Sequence, residues 1–221
     1  MATTANAPRK GGASKLQVGI IAAVALGLVI VVIALALRPS GSRGGLTGAI
    51  VNGSPAAPDF TLIDQNGRQV SLHDSQGKVR AVTFLYTHCP DVCPLIASTL
   101  GQADRRLAAQ QNQVELLSVS VDPQGDTPPA IHKFDDDRGL ADLPNWHYLT
   151  GAPSQLAKVW TDWGGINANN PDGAKALTPD QLEHMSIVYL VDPQGHMRAA
   201  LPANFTVDDF LQDVNALASV G

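Results

Sequence analysis

The most pronounced pattern in the chain is an apolar run at residues 18–37, VGIIAAVALGLVIVVIALAL, twenty residues without a charge. As a helix it would span about 30 Å, the thickness of a bilayer's hydrocarbon core. Residues 16–38 are therefore expected to form one N-terminal transmembrane helix. Arg9, Lys10 and Lys15 precede the run, and Arg38 and Arg43 follow it. With the free amino terminus added, the balance favours an N-terminus inside. Ala34-Leu35-Ala36 has the small-residue pattern of a cleavage site. The run nonetheless exceeds the roughly 7 to 15 residues of a signal-peptide core. The expectation is an uncleaved signal anchor, with residues 1–15 a cytoplasmic tail and the rest of the chain outside the cytoplasm.

Beyond the run the pattern breaks up. PSGSRGGLTGAIVNGSPAAP, residues 39–58, is rich in Gly, Ser, Ala and Pro and reads as a flexible linker. Residues 59–221 read as the folded domain. DFTLIDQNGRQVSL has two short strand-like runs around Asn66-Gly67, a hairpin signal. VRAVTFLY, 79–86, is nearly all apolar and predicts a buried central strand. Ile96, Leu100, Ala103 and Leu107 recur at helical spacing, so a helix is expected to about residue 110. A strand at 114–121 follows, then a helix over 127–137 with Thr127 as N-cap and Pro128 in its first turn. A short strand at 146–149, a helix at 154–163, and strands at 186–191 and 197–201 around a Pro-Gln-Gly turn come next. A helix over 207–218 ends the chain, with Val207, Phe210, Leu211, Val214 and Leu217 on one face. Helices alternating with strands after a hairpin predict an α/β domain, a mixed sheet flanked by helices.

Charge follows the same division. All five cations before residue 44 stand without an acid, whereas the remaining ten Lys and Arg face all twenty Asp and Glu. An acidic outer domain has no basic stripe to suit nucleic acid. No phosphate loop, nucleophile elbow or zinc-protease motif is present. Asp135-Asp136-Asp137 reads as a solvated helix end. Trp146, Trp160 and Trp163 read as core or partner-facing residues.

Both cysteines of the chain lie in THCPDVCP, residues 87–94, where the central strand gives way to a helix. Open α/β sheets place ligands at such strand ends. The pair could be a disulfide switch, a metal clamp or a cross-link. A disulfide closing so small a loop removes little entropy from the unfolded chain, so it would be a poor staple. A helix start favours thiolate, which serves equally as nucleophile and as metal ligand. Cys89 and Cys93, four positions apart, can share a helical face. Pro94 would disrupt a helix begun at Pro90, so a kinked or delayed first turn is expected. Two thiolates are too few for structural zinc, which takes four ligands, but Cu(I) accepts fewer and prefers sulfur and imidazole. Of the six histidines, His88 adjoins Cys89 and its side chain is expected to point elsewhere. His73, His132, His147 and His196 fall on loops or helix faces. His184 stands out because it lies just before the SIVYLV strand, from which a loop can reach the cysteine turn.

These stretches resemble the Sco/SenC family of membrane-anchored, thioredoxin-like copper proteins. The resemblance rests on APDFTLIDQNGRQVSL (57–72), TFLYTHCPDVCP (83–94), SVSVDPQGDTP (118–128), NWHYLTG (145–151) and EHMSIVYLVDPQG (183–195). It implies a thioredoxin-like fold and one copper ion, Cu(I) or Cu(II), held by Cys89, Cys93 and His184. It gives Asp122 a supporting role near the site. It further implies a role in building the CuA centre on subunit II of cytochrome c oxidase, by delivering copper or by reducing the receiving cysteines. Two departures are visible. Glu183 precedes the histidine where the family often has Asp, and the loop at 164–182 lacks the aromatic residues expected there. The alternatives are a thiol–disulfide oxidoreductase, with Cys89 attacking and Cys93 resolving, and a peroxidase or redox sensor of the same fold.

Overall fold

The computed structural model describes residues 27, 45–107, 113–164 and 186–219. The chain divides into two compact units, Met1–Arg43 and Gly44–Gly221. The expected tail and transmembrane helix fall in the first unit and, Gly27 apart, lie outside the described residues. Among the described residues no helix is long and apolar enough to cross a membrane.

The second unit is a sheet of six strands ordered β1-β8-β7-β4-β5-β6. The strands are β1 (Ala49–Ile50), β4 (Val79–Leu85), β5 (Val114–Ser120), β6 (Trp146–Leu149), β7 (Ile187–Val191) and β8 (Met197–Pro202). β4, β5 and β6 run parallel, whereas β7 is antiparallel to β4, β8 to β7, and β1 to β8. Every residue of β4 and β5 is buried, as near-continuous apolar runs require of strands covered on both faces. On one face Val79, Ala81 and Leu85 pack with α1 (Val92–Leu107), α2 (Pro128–Arg138) and α4 (Val207–Ala218). On the other, Val82 and Phe84 pack with α3 (Pro153–Gly164) and a hairpin of β2 (Thr61–Ile63) and β3 (Gln69–Ser71). Trp146, Trp160 and Trp163 are all buried in these layers.

Local chemistry explains the element ends. The hairpin turns at Gly67, whose φ of +78° suits glycine. Asp64 Oδ1 accepts N–H bonds from Asn66 (2.9 Å) and Arg68 (2.8 Å) within that turn. α4 opens on a capping box in which Thr206 and Asp209 satisfy each other's backbone. α2 begins at Pro128 after Thr127, as the sequence predicts, but the Thr127 side chain makes no capping bond.

Two expectations need correction. Residues 45–58, inside the stretch read as a linker, are built into the domain. β1 pairs with β8, and the buried Asp213 carboxylate of α4 accepts from Thr47 N (2.6 Å), Thr47 Oγ1 (3.0 Å) and Gly48 N (3.1 Å). Small residues here serve close approach, since a Cβ at Gly48 would lie 3.0 Å from the Ala200 carbonyl. The acidic triplet is likewise not wholly solvated. Asp136 and Asp137 are exposed, but Asp135 is fully buried and accepts from Trp146 Nε1 (2.9 Å).

Candidate metal centre

β4 delivers the chain to the cysteine turn. After Leu85 the backbone turns back on itself, with Cys89 N–H donating to the Tyr86 carbonyl (3.3 Å). α1 starts only at Val92. Pro94 therefore falls in the first helical turn, where an N–H has no intrahelical partner to lose. The delayed start expected from the sequence is what the chain adopts. It leaves Cys89 just ahead of the helix and Cys93 inside its first turn.

Both cysteines are free thiols and both are buried. The Cys93 backbone N–H donates to Cys89 Sγ at 3.4 Å. The Cys89 thiol is pulled down to about 5, chiefly by the hydrogen bond from the Cys93 thiol. Burial opposes the shift, while the N–H groups of Asp91 and Cys93 and the Tyr86 hydroxyl assist it. Cys93 is pushed strongly upward, because its proton is held against Cys89 and because it is buried. Burial, and then the negative sulfur of Cys89, raise Tyr86 to about 12. The pair is thus asymmetric: one sulfur is ready as thiolate and the other holds its proton.

The support beneath the turn is a carboxylate that sequence reasoning missed. Asp126 is 2% exposed. Its Oδ1 accepts from Thr87 N (2.7 Å), and its Oδ2 accepts from Ser120 Oγ (2.6 Å) and Tyr148 OH (3.0 Å). It ties the turn to β5 and β6 together. The available signal was small: inward-facing Ser120 and Tyr148 in apolar strands, and an acid just ahead of a helix start. Asp122, the expected supporting acid, shapes the adjoining loop. Its Oδ1 accepts from Gly125 N (3.0 Å), and its carbonyl accepts from Asp126 N (2.9 Å). Gly125 has no room for a side chain, because a Cβ would collide with the Asp122 carboxylate and lie 3.3 Å from His88 Nδ1.

The histidines divide as follows. His88 is exposed and its Nδ1 faces Thr87 Oγ1 at 3.1 Å. His147 is held by Glu115 (3.1 Å) and lies 3.5 Å from Asp64. His184, the third expected ligand, lies outside the described residues, as do Glu183 and 165–182 of the preceding loop. Among the described residues no three His, Cys, Asp or Glu side chains gather as a metal site. Of the three expected ligands, Cys89 and Cys93 lie together at the strand end.

Comparison with known proteins identifies the family. The SCO1/SenC family model matches residues 50–219. The SCO1 protein homolog of Bacillus subtilis is 30% identical over 164 residues, covering 73% of this chain and 82% of that protein. Protein SenC of Rhodobacter capsulatus is 34% identical over 136 residues, covering 61% of this chain and 58% of that protein. Among solved structures, BsSco, a Sco-family cytochrome c oxidase assembly protein with a disulfide switch, superposes with a TM-score of 0.62 at 27% identity. That match covers 78% of this chain and 99% of BsSco. Copper-bound ScoI of Bradyrhizobium japonicum superposes with a TM-score of 0.57 at 26% identity, over 74% of this chain and 99% of that one. The thioredoxin-like fold follows, and by sequence and structure alike the chain belongs to the SCO1/SenC family.

Proposed function

We propose that the chain is a membrane-anchored, extracytoplasmic copper-binding protein of cytochrome c oxidase assembly. In this reading it delivers copper to the CuA site of subunit II or prepares that site. Copper, as Cu(I) or Cu(II), would be held by Cys89, Cys93 and His184. The observation that carries the reading is the cysteine pair itself: two free thiols at a helix start, with Cys93 N–H donating to Cys89 Sγ at 3.4 Å. The donor set fits, since thiolates joined by one imidazole suit a soft, low-coordinate copper ion. Copper bound there would supply a labile metal that an acceptor with similar ligands can take. Cys89 contributes a sulfur already favouring thiolate. Cys93 must release a proton before both sulfurs can ligate, so affinity rises with pH. The uncharged run at 18–37 supports the anchor, and with it the extracytoplasmic placement.

A second reading is favoured by the asymmetry of the two thiols. Cys89 thiolate would attack one sulfur of a target disulfide, expelling the other target sulfur as thiolate. Cys93, losing its proton, would then attack Cys89 Sγ. A Cys89–Cys93 disulfide forms and the target leaves with two reduced sulfurs.

The test is anaerobic Cu(I) binding by the full-length chain in detergent against a competing chelator. Wild type would be compared with Cys89→Ala, Cys93→Ala and His184→Ala. One tight copper per chain, lost in all three variants, is the expected result. Undiminished binding by the His184 variant, or no tight copper in wild type, would sink the three-ligand site and leave thiol–disulfide exchange as the function.

A further inference from the structure

The opposite end of β4 holds a second polar feature. Arg80 interrupts the apolar run of the central strand and is 2% exposed. A buried cation is costly unless paired and hydrogen-bonded. The nearby carboxylates are engaged elsewhere. Asp192 accepts from Gln194 N (3.1 Å), His196 N (2.9 Å) and Arg198 Nη1 (2.8 Å). Glu115, level with Arg80 on β5, pairs with Lys78 and His147. Arg80 Nη2 donates to the Asp192 main-chain carbonyl, a neutral acceptor. Arg80 Nε is buried without an acceptor among the described residues. Burial lowers the Arg80 pKa, and the Asp192 charge opposes that shift.

Arg80 also lines a cavity of about 170 Å³. His73, Gln76 and Gln194 stand exposed at its edge, and Gly195 and Asp59 complete the wall. The Asp59 carboxylate accepts from His73 N (3.1 Å). A guanidinium offers several N–H donors in a rigid plane, which matches the two coplanar oxygens of a carboxylate. One fixed negative charge on the wall favours a monoanion over a more highly charged ligand.

We propose that this cavity is a binding site for a small carboxylate, with the Arg80 guanidinium supplying charge and an N–H donor, and with Gln76 and Gln194 at the mouth. The site lies at the far end of β4 from Cys89 and needs neither copper nor the thiols. It therefore stands independently of the function proposed above.

Thermal unfolding of the full-length chain in detergent tests it, with acetate titrated against chloride at matched ionic strength. Acetate stabilises wild type in a saturable manner. At one hundred times the dissociation constant the folding equilibrium gains about a hundredfold. Arg80→Met abolishes the acetate-specific gain. Gln194→Glu leaves Arg80 and the exposed turn in place but sets a carboxylate at the mouth, and it weakens acetate binding severalfold. The site is overturned if acetate and chloride act alike on wild type. A folded Arg80→Met that still responds to acetate overturns it too, as does an unchanged response in Gln194→Glu.

Discussion

Asp126 holds the cysteine turn from below, and its three bonds come from three different elements of the chain. Truncation to Asp126→Ala strands the Thr87 N–H and the hydroxyls of Ser120 and Tyr148 in a buried space. Each unsatisfied donor costs about 1–3 kcal/mol, and a non-additive total of about 3 kcal/mol is expected in urea unfolding. A structural loss alone would leave the thiol chemistry of the folded fraction untouched; a positioning role would not. Cys89 depends on the turn to meet the Cys93 thiol and the N–H groups of Asp91 and Cys93. The pH midpoint for alkylation of Cys89, expected near 5 in the native wild type, should therefore move in native Asp126→Ala, upward toward the ordinary thiol value of about 8.5 as the turn loosens and Cys89 loses those donors. An unmoved midpoint would reduce Asp126 to a purely structural role. The cysteines were legible from sequence because they sit four positions apart beside a strand end. Asp126 was not, because its bond to Thr87 joins residues 39 positions apart, and no local pattern encodes such a contact.

At the scale of elements, one buried carboxylate gathers three of the bonds that fasten the N-terminal segment of the domain. Asp213, on α4, takes the backbone N–H groups of Thr47 and Gly48 and the Thr47 hydroxyl. Without it β1, only two residues long with Ile50 exposed, is held by its short ladder to β8 and the backbone bonds from Val51 to Arg198 and from Met197 to Pro55. Asp213→Ala should accelerate hydrogen exchange at Thr47, Gly48 and Val51 by at least tenfold, a local opening free energy reduced by about 1.4 kcal/mol or more. Amides within β4 and β5 should report only the global loss. Uniform acceleration across the sheet would show instead that Asp213 belongs to the global folding unit. The same segment shows where sequence patterning stops. Buried strands, amphipathic helices and the Asn66-Gly67 turn announce themselves by period and turn chemistry, and β4, β5, α2, α3 and α4 formed within one or two residues of expectation. Gly, Ser and Ala are ambiguous, because they suit a loose tether and also a close approach between backbones. Only the distant Asp213 decides between them.

Across the folded domain as a whole, the sheet separates two packed layers, and one buried acid between helix and strand sets a pH dependence of its own. Asp135 on α2 meets Trp146 Nε1 through Oδ1, while Oδ2 has no partner among the described residues. Burial pushes its carboxyl up to about 7, only partly offset by the indole bond. In the unfolded chain the same group ionises near 3.9. Between those values the folded state holds the extra proton, so this group makes stability fall as pH rises from about 4 to about 7. Its penalty is absent below that window and complete above it. Asp64, Glu115 and Asp192 work in the opposite direction: their partners hold them below the usual carboxylate range, and the stability they add is lost in acid. Asp135→Asn isolates the first effect. The amide oxygen can still accept from Trp146, and the side chain no longer titrates, so any cost of burying the NH₂ group is constant with pH. Urea unfolding of both proteins from pH 4.5 to 8.5 should show the variant gaining on wild type steadily up to about pH 7, then holding a fixed margin. A stability difference that does not change across that range would mean that Asp135 is ionised in the folded protein throughout.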